Sequence, residues 1–554
     1  MRQLIQSAAL ALCAVATLQA QTPAPFTHAD TLRGSIGAAR SWWDAEFYDL
    51  HVRVSPSDSS ITGRNGITYR VLQPAAEMQI DLQAPLVVDS VKQGGKPLAW
   101  RRDGNAWFLA LAAPQPVGSQ QTVTVFYHGS FATGDTTIRR PRGPFHWATD
   151  STGAPWVATS DEGPGASTWW PLKDLPADEP DSQRIAITVP DPMLDISNGR
   201  LRSTMHHDDG TTTFEWFVSN PINSYDVAIN ASAAYVPVRD TVDGLGGRLT
   251  VEFWPLAPHR AEAEALMPQV KGMLACFEHW FGPYPWYADG YKLIEVPYLG
   301  MEHQSGIAYG NRYQPGYLGR DLSKTGQGMG WDYIVVHESA HEWFGNSISA
   351  KDHADMWIHE SFGMYAEALY LECTKDKAAG VEYLVGVRGM IRNDVPIIGT
   401  YGVNDVPRSQ DRYPKGANML MTMRAVVDDD PRWLAMLQGL NATFQHQTVT
   451  ARQIEEYMSS ATGTDLQKIF QQYLETTMVP VLEYRLGDHT LSYRWTNAVP
   501  GFDMPVDVAL GAEGYTRLHP TGQWQSTATS LGAGAEVQVA PTFYVTTAAA
   551  TSSP

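Results

Sequence analysis

Residues 332–360 read DYIVVHESAHEWFGNSISAKDHADMWIHE and contain an HExxH motif. Asp332 is a predicted N-cap and Gly345 a predicted C-cap, so the pattern predicts a helix around the motif. Residues four positions apart lie on one face of a helix. His337 and His341 can therefore bind one zinc ion together, at the usual Zn–N distance of about 2.0–2.1 Å.

A catalytic zinc ion needs a third protein ligand and one open coordination position. Glu360 follows the motif after 18 residues, in a second predicted helix that opens near Asp355. His359 and His353 are rival ligands, but adjacent helical residues point about 100° apart, so His359 and Glu360 cannot both face the ion. Glu338 points beside the metal, where a general base acting on a zinc-activated water would lie.

Composition favours a folded multidomain protein. The chain has 554 residues, which suggests two to four domains, and 43% hydrophobic with 18% charged residues is ordinary for globular proteins. The net charge of −19 disfavours binding to nucleic acid or to an anionic membrane through bulk charge.

The N-terminal residues resemble a secretory signal. Arg2 precedes an apolar run at residues 8–18, which is too short to span a bilayer. We expect residues 1–20 to be a signal peptide cleaved before Gln21, with the protein exported to the periplasm or the extracellular space. No later segment is apolar enough to predict stable membrane insertion after cleavage.

Two cysteines, Cys276 and Cys373, remain after the predicted signal peptide. Both lie in helix-like stretches, and neither has CxxC spacing, so a thiolate zinc site is disfavoured. The two can form one disulfide or stay as buried thiols, and we favour free thiols.

Alternating and helical patterns divide the rest of the chain. Residues 48–54 and 123–127 alternate with the period of a strand, whereas residues 261–281 carry apolar residues at helical spacing. We predict a β domain over 40–245, a mainly helical catalytic domain over 246–478 and a small β domain over 479–546. We expect no regular structure in the Thr-, Ala- and Ser-rich tail that follows Val545.

The HExxH motif, its 18-residue spacing to Glu360 and the flanking WFGN and DMW resemble the aminopeptidase N family of zinc metallopeptidases, which are gluzincins. The resemblance implies an α+β multidomain protein with an N-terminal β saddle, a thermolysin-like, mainly α catalytic domain and a small C-terminal β-sandwich. We expect no equivalent, within this sequence, of the large C-terminal helical domain that many members carry.

Residues 299–303 read LGMEH and match the family's exopeptidase signature, Gly-x-Met-Glu-Asn, except at the first and last positions. The resemblance implies that Gly300, Met301 and Glu302 contact the substrate. Glu302 stands where the family binds the α-ammonium group of the substrate.

The resemblance implies two further site residues. The stretch WWPLKD at 169–174 resembles a family segment whose Asp lies twelve positions after a residue that also binds the amino terminus, which implies Glu162. The stretch YPKG at 413–416 matches the family's Tyr-x-Lys-Gly and implies that Tyr413 donates a hydrogen bond to the developing oxyanion.

The resemblance implies an aminopeptidase with one Zn²⁺ per chain, which acts on peptides with a free N-terminus. In this hypothesis His337, His341 and Glu360 hold the metal, and Glu338 and Tyr413 are catalytic. Two alternatives remain: a zinc endopeptidase whose cleft is open at one end, and a non-catalytic binding protein with a vestigial site.

Overall fold

The computed structural model describes residues 26–131, 144–404, 408–487, 489–511, 514–532 and 534–550. The predicted signal peptide, residues 1–20, lies outside the described residues. Within these ranges, no helix combines the length and the apolar character needed to cross a membrane.

The N-terminal domain consists of strands preceded by one short helix. Its elements are α1 (His28–Gly34), β1 (Trp43–Ser55), β2 (Ser60–Val71), β3 (Glu77–Asp81), β4 (Val87–Gln93), β5 (Lys96–Pro97), β6 (Ala99–Asp103), β7 (Ala106–Ala110), β8 (Gln120–Ser130), β9 (Phe145–Thr149), β10 (Pro155–Thr159), β11 (Ser182–Pro190), β12 (Leu194–Asp195), β13 (Arg200–His207), β14 (Thr211–Val218) and β15 (Asn230–Ser232). An eight-stranded sheet, β13-β14-β11-β1-β2-β8-β4-β5, is its largest element.

Two smaller sheets complete this domain, with the orders β12-β15-β10-β9 and β3-β7-β6. Inward-facing residues of all three sheets form one hydrophobic cluster. Trp169 and Trp170 belong to this cluster and are fully buried, so the tryptophan pair serves the core. The loop that carries the pair continues from β10 and brings Glu162 toward the neighbouring domain.

The next domain joins a five-stranded sheet to a set of helices. Its elements are β16 (Val238–Gly244), β17 (Gly247–Trp254), α2 (Arg260–Phe281), β18 (Tyr291–Glu295), β19 (Gly300–Met301), β20 (Ile307–Tyr309), α3 (Tyr333–Ala340), β21 (Ile348–Ala350), α4 (Trp357–Thr374), α5 (Lys377–Val387), α6 (Pro414–Val427), α7 (Asp430–Phe444), β22 (Gln447–Val449), α8 (Ala451–Thr462) and α9 (Gln467–Leu474). The sheet has the order β16-β17-β18-β20-β19, so the two-residue strand β19 forms one edge.

Helix α3 begins as predicted and ends earlier than predicted. The Asp332 side chain caps it, whereas its last helical residue is Ala340 and not a residue next to Gly345. The backbone N–H groups of residues 346–348 donate to carbonyls five positions earlier, at 2.9–3.3 Å, which widens the turn. His341 keeps helical dihedral angles, φ −64° and ψ −19°, so its ring stays on the helix face.

The prediction of free thiols is wrong, because Cys276 and Cys373 form a disulfide. Cys276 lies in α2 and Cys373 lies near the end of α4, as the helical pattern indicated. The packing of these helices brings the two Cα atoms to 6.0 Å, within the usual range for a disulfide. This proximity depends on how the helices pack and has no signature in the local sequence.

The C-terminal part contains two small sheets, β27-β24-β23-β29 and β26-β25-β28. Its strands are β23 (Val481–Gly487), β24 (Thr490–Thr496), β25 (Val506–Ala509), β26 (Tyr515–Leu518), β27 (Gln525–Ala528), β28 (Gln538–Val539) and β29 (Thr546–Ala549). Strand β29 pairs in parallel with β23, so the prediction of an unstructured tail is wrong for these residues. A strand rich in Thr and Ala lacks the large apolar residues by which strands are recognised.

The buried residues of the C-terminal sheets, such as Leu482 and Trp495, join the same hydrophobic cluster as the helices of the preceding domain. These sheets therefore pack directly onto the helical domain. The predicted multidomain fold is confirmed: an N-terminal β domain, a mainly helical domain and C-terminal strands.

Candidate functional site

Three side chains from two helices converge in the helical domain. The Nε2 atoms of His337 and His341, on α3 and its C-cap, lie 3.4 Å apart. Glu360, in the first turn of α4, places Oε2 at 3.7 Å from the first nitrogen and 3.6 Å from the second. All three are buried, and within the described part of the chain no other group of three possible ligands converges in this way.

Hydrogen bonds to groups behind the site hold both imidazole rings in place. Glu367 lies 2.7 Å from Nδ1 of His337 and accepts a 2.5 Å hydrogen bond from the Tyr383 hydroxyl. Nδ1 of His341 lies 3.0 Å from the carbonyl oxygen of Phe344. With Nδ1 donating in each ring, both Nε2 atoms present lone pairs to the same point. Two such nitrogens and one carboxylate oxygen are a donor set that fits zinc.

The second oxygen of Glu360 faces away from the histidines. Its Oε1 accepts a hydrogen bond from the Tyr413 hydroxyl and lies 3.7 Å from Nε of Arg412. Burial alone would raise the pKa of Glu360, but its histidine neighbours and Arg412 lower it to about 2. Glu360 is therefore an anion at neutral pH, as a metal ligand must be.

The rival ligand His359 accepts a hydrogen bond from the backbone and is not part of the converging group. Its Nε2 lies 2.9 Å from the amide nitrogen of Ala350, which donates to it. Burial lowers the pKa of His359 to about 3, which keeps the ring neutral. His353, the other rival, lies in the short turn before α4 and is not part of the converging group.

Glu338 lies beside the converging ligands and against the edge strand β19. A Cβ atom built on Gly300 would stand 2.9 Å from Oε1 of Glu338, so the strand backbone approaches the carboxylate where only glycine fits without displacement. Burial raises the pKa of Glu338 to about 8, opposed by the charge of His337 and helped by that of Glu302. A carboxylate with a raised pKa is a stronger base.

Two more carboxylates occupy the same cleft. Glu302 follows β19 and accepts a 3.1 Å hydrogen bond from the hydroxyl of Tyr225. Glu162 reaches the cleft from the N-terminal domain, and its Oε1 has no hydrogen-bond partner among the described residues. Burial, and then the charges of Glu302 and Glu360, raise the pKa of Glu162 well above its usual value. The cleft therefore gathers predicted site residues from both domains.

The departures from the exopeptidase signature leave the charge of the cleft unchanged. His303 is fully buried, and burial lowers its pKa to about 3, so the ring is neutral. Leu299 is partly buried and packs against the hydrophobic cluster of the helical domain. Met301 packs with a small separate cluster that includes Ala308.

Sequence reasoning missed Glu367, Tyr225 and Arg412. Glu367 lies seven positions after Glu360, two helical turns along the same face of α4, and this spacing could have indicated it. Tyr225 reaches Glu302 from the N-terminal domain, and no local pattern marks such a contact. Arg412 precedes Tyr413 directly, but the sequence does not show that it approaches Glu360.

We expect Glu367→Gln to weaken zinc binding by about 10–100-fold, because the amide cannot hold His337 in the required orientation with the strength of a carboxylate. Competition with a fluorescent zinc chelator measures the affinity directly. Glu372→Gln, on the same helix but bonded to Arg424, is the matched control and should bind zinc like the wild type. Equal affinity for all three proteins would show that Glu367 does not support the site.

The geometry defines a class: a helix with HExxH and a carboxylate on the next helix form the metal site of a zinc metallopeptidase. Comparison with family models agrees with this. The Peptidase M1 N-terminal domain matches residues 44–225, and the Peptidase family M1 domain matches residues 266–473. The chain belongs to peptidase family M1, and its metal is zinc.

Similar proteins include aminopeptidase N of Lactobacillus helveticus, 22% identical over 469 residues that cover 79% of this chain and 51% of that protein. Aminopeptidase B of Mus musculus is 23% identical over 76% of this chain and 67% of its own length. Aminopeptidase N of Lactococcus lactis is 27% identical over 28% of this chain and 20% of its length. The chain thus spans about half the length, or less, of the two aminopeptidases N.

Solved structures share the fold. An M1 zinc metallopeptidase from Deinococcus radiodurans superposes with a TM-score of 0.68 at 19% identity, over 81% of this chain and 98% of that one. A mutant of the Deinococcus enzyme bound to a Tyr-Ser-Ala substrate gives a TM-score of 0.67 at 20% identity, over 80% of this chain and 96% of that one. The architecture of this chain is therefore that of M1 metallopeptidases.

Proposed function

We propose that this protein is a zinc-dependent aminopeptidase that hydrolyses the N-terminal peptide bond of peptides with a free amino terminus. The observation that carries the proposal is the presence of Glu302 and Glu162 in the cleft that holds Glu338 and the zinc ligands. The similar aminopeptidases support it as well.

Zinc, when bound, acts as a Lewis acid that makes a water molecule acidic near neutral pH and polarises the scissile carbonyl. Glu338 accepts the proton from the attacking water. It then gives the proton to the leaving amine, which the carboxyl can do because burial raises its pKa. The edge strand β19 limits the movement of this carboxylate through the contact at Gly300.

Tyr413 would donate its hydroxyl hydrogen to the oxyanion that forms at the scissile carbonyl. Burial, and then the charge of Glu360, raise the pKa of Tyr413 well above its usual value, so the phenol keeps its proton at neutral pH. In the present structure this hydroxyl donates to Glu360. The phenol must therefore exchange this acceptor for the oxyanion during the reaction.

The substrate's ammonium group would pair with Glu302 and Glu162. Buried carboxylates of like charge are costly without a counter-ion: burial, and then repulsion from Glu302 and Glu360, raise the pKa of Glu162. An ammonium group would relieve this repulsion, and the substrate's amino terminus would then be held in the cleft that carries Glu338 and the zinc ligands. This geometry favours removal of single N-terminal residues.

The test is turnover of a panel of aminoacyl-coumarin amides, free and N-acetylated, by the wild type and by Glu302→Gln. We expect only the free amides to be cleaved. Glu302→Gln should lower kcat/KM for them by about 10–100-fold, the usual loss for a hydrogen bond between charged groups. Glu264→Gln, at an exposed position where the side chain pairs with Arg260, is the control and should behave like the wild type.

Equal cleavage of the acetylated substrates would favour an endopeptidase with an open cleft and remove the ammonium role of Glu302 and Glu162. No turnover of either substrate by a zinc-loaded protein would favour a binding protein with a vestigial site. A chelator that abolishes turnover, with recovery on adding zinc, ties the activity to the metal.

We further propose that the protein works outside the cytosol, in the periplasm or the extracellular space. The disulfide between Cys276 and Cys373 supports this, because disulfides persist in oxidising compartments. Fractionation of the expressing cells, with immunodetection of the mature protein, tests the location.

A further inference from the structure

A second cleft lies between the N-terminal sheet and the sheet of the helical domain. It has a volume of about 340 Å³ and is bordered by β13 and β14 on one side and by β17 and β18 on the other. None of its lining residues belongs to the zinc site or to the cleft with Glu302 and Glu162. The two sites are therefore separate in the fold.

The cleft contains two cations, Lys292 and Arg200, whose hydrogen-bond acceptors are neutral. Lys292 is 3% exposed, and its ammonium donates a 2.5 Å hydrogen bond to the carbonyl oxygen of Gly199. Burial lowers the pKa of Lys292 to about 8, so the group stays charged at neutral pH. Arg200 donates to the carbonyl oxygens of Ala288 and Tyr287 and to the hydroxyl of Thr250, all of which are neutral. Among the described residues, neither cation forms an ion pair.

The two acidic side chains of the cleft compensate these charges only in part. The charge of Glu252 favours the ammonium form of Lys292, but its carboxylate accepts hydrogen bonds from Arg239 at 3.0 Å and from the indole nitrogen of Trp254 at 2.8 Å. Asp195 is fully buried, and burial raises the pKa of its carboxyl well above the usual value, which favours the neutral form. Its Oδ2 accepts a 3.1 Å hydrogen bond from Trp216.

The other oxygen of Asp195, Oδ1, is buried and has no hydrogen-bond partner among the described residues. A neutral carboxyl carries one O–H donor. An acceptor atom of a ligand in the cleft would satisfy this donor, and leaving it unsatisfied is costly.

The remaining walls are aromatic. Phe214, Trp216 and Trp254 line the cleft and are largely buried, and the ammonium of Lys292 lies 5.6 Å from the ring centre of Trp216. Such walls favour a flat or branched apolar group next to the charged end of a ligand.

We propose that this cleft binds a small molecule or chain end that carries one carboxylate beside an apolar side chain, with the carboxylate between Lys292, Arg200 and Asp195. The two cations attract the anion, the carboxyl donor and the ammonium hydrogens bond to its oxygens, and the indole rings pack against its apolar part. A free N-blocked amino acid and the C-terminus of a peptide share this chemistry. The inference does not depend on the proposed peptidase activity.

Isothermal titration of the zinc-loaded protein with N-acetyl-tryptophan tests the proposal. The acetyl group removes the ammonium that Glu302 and Glu162 would recognise. We expect binding that becomes at least about tenfold weaker with N-acetyl-tryptophanamide, which lacks the anion. N-acetyl-glycyl-glycyl-tryptophan shows whether a peptide C-terminus also enters: its binding assigns the cleft to chain ends, and its exclusion assigns it to single residues.

Four variants locate the binding site. Lys292→Met removes the buried cation, and Arg239→Gln, at an exposed position, frees Glu252 to repel an anion; each should weaken binding at least about tenfold. Arg248→Gln is the control, because Arg248 lies on β17 outside the cleft and bonds to Thr241. His337→Ala should leave the affinity unchanged, since it removes only the metal site.

The proposal is overturned if the amide binds as tightly as the acid, or if both Lys292→Met and Arg239→Gln bind like the wild type. It is also overturned if His337→Ala abolishes binding, because the carboxylate would then be held by zinc. If Lys292→Met does not fold, Arg239→Gln tests the proposal alone. The side chain of Arg239 is 60% exposed and contributes little to the core.

Discussion

Glu338→Gln should lower kcat by about 10²–10⁴-fold for any substrate that the wild type cleaves, the usual contribution of a general base. Glutamine has nearly the shape of glutamate, so it keeps the contact with Gly300 and does not disturb α3. It cannot accept a proton from water near neutral pH. Steady-state kinetics on an aminoacyl-coumarin amide measures the effect.

The metal content separates this loss from a structural one. Glu338 is not among the three converging ligands, so Glu338→Gln should retain zinc at the wild-type stoichiometry. His337→Ala is the comparison, since it removes a ligand and should lose both zinc and activity. A Glu338→Gln protein with full zinc and a kcat within a few-fold of the wild type would exclude Glu338 as the base.

Of the variants considered, those that remove the disulfide should lose the most free energy of unfolding. The bridge links residues 97 positions apart, and the chain-entropy model gives about 4–5 kcal/mol for a loop of this length. Without it, the unfolded chain gains conformational freedom that the native packing of α2 on α4 must offset. We expect a double Cys276→Ala, Cys373→Ala variant to unfold at clearly lower urea concentration, followed by tryptophan fluorescence.

The single variants provide the control. Each breaks the same bond, so Cys276→Ala and Cys373→Ala should each lose about as much free energy of unfolding as the double variant. A loss under about 1 kcal/mol in all three would mean that the bridge does not constrain the unfolded chain. Thiol titration of the unreduced, denatured wild type should find neither cysteine reactive.

Much of the fold could be predicted because its signals are local. Periodicity identified β1, β8 and α2, and the N-cap at Asp332 placed the start of α3. The end of α3 could not be predicted, because the hydrogen bonds of the wider turn at residues 346–348 have no residue preference comparable to that of an N-cap. Strand β29 could not be predicted either, because it is a strand through its pairing with β23 and not through its own composition.

The metal ligands could be predicted because helical spacing fixes them. The i, i+4 relation of His337 and His341 is a property of any helix, whereas the choice of Glu360 over His359 needed the family resemblance and the direction of α4. The contacts of Tyr225 and Arg412, like the disulfide, arise where distant segments pack. Tertiary packing of this kind cannot be predicted from any short segment of the sequence.

The cleft that holds the zinc ligands is assembled from two domains, since Glu162 arrives on a loop of the N-terminal domain and Tyr225 reaches Glu302 from the same side. A ligand that bridges both parts can bind only while they are docked. By mass action its binding energy is added to the stability of that docking, as RT ln(1 + [L]/Kd). An amine-bearing inhibitor that binds the zinc ion within the site should therefore make the two domains melt as a single cooperative unit, with a shared rise in Tm.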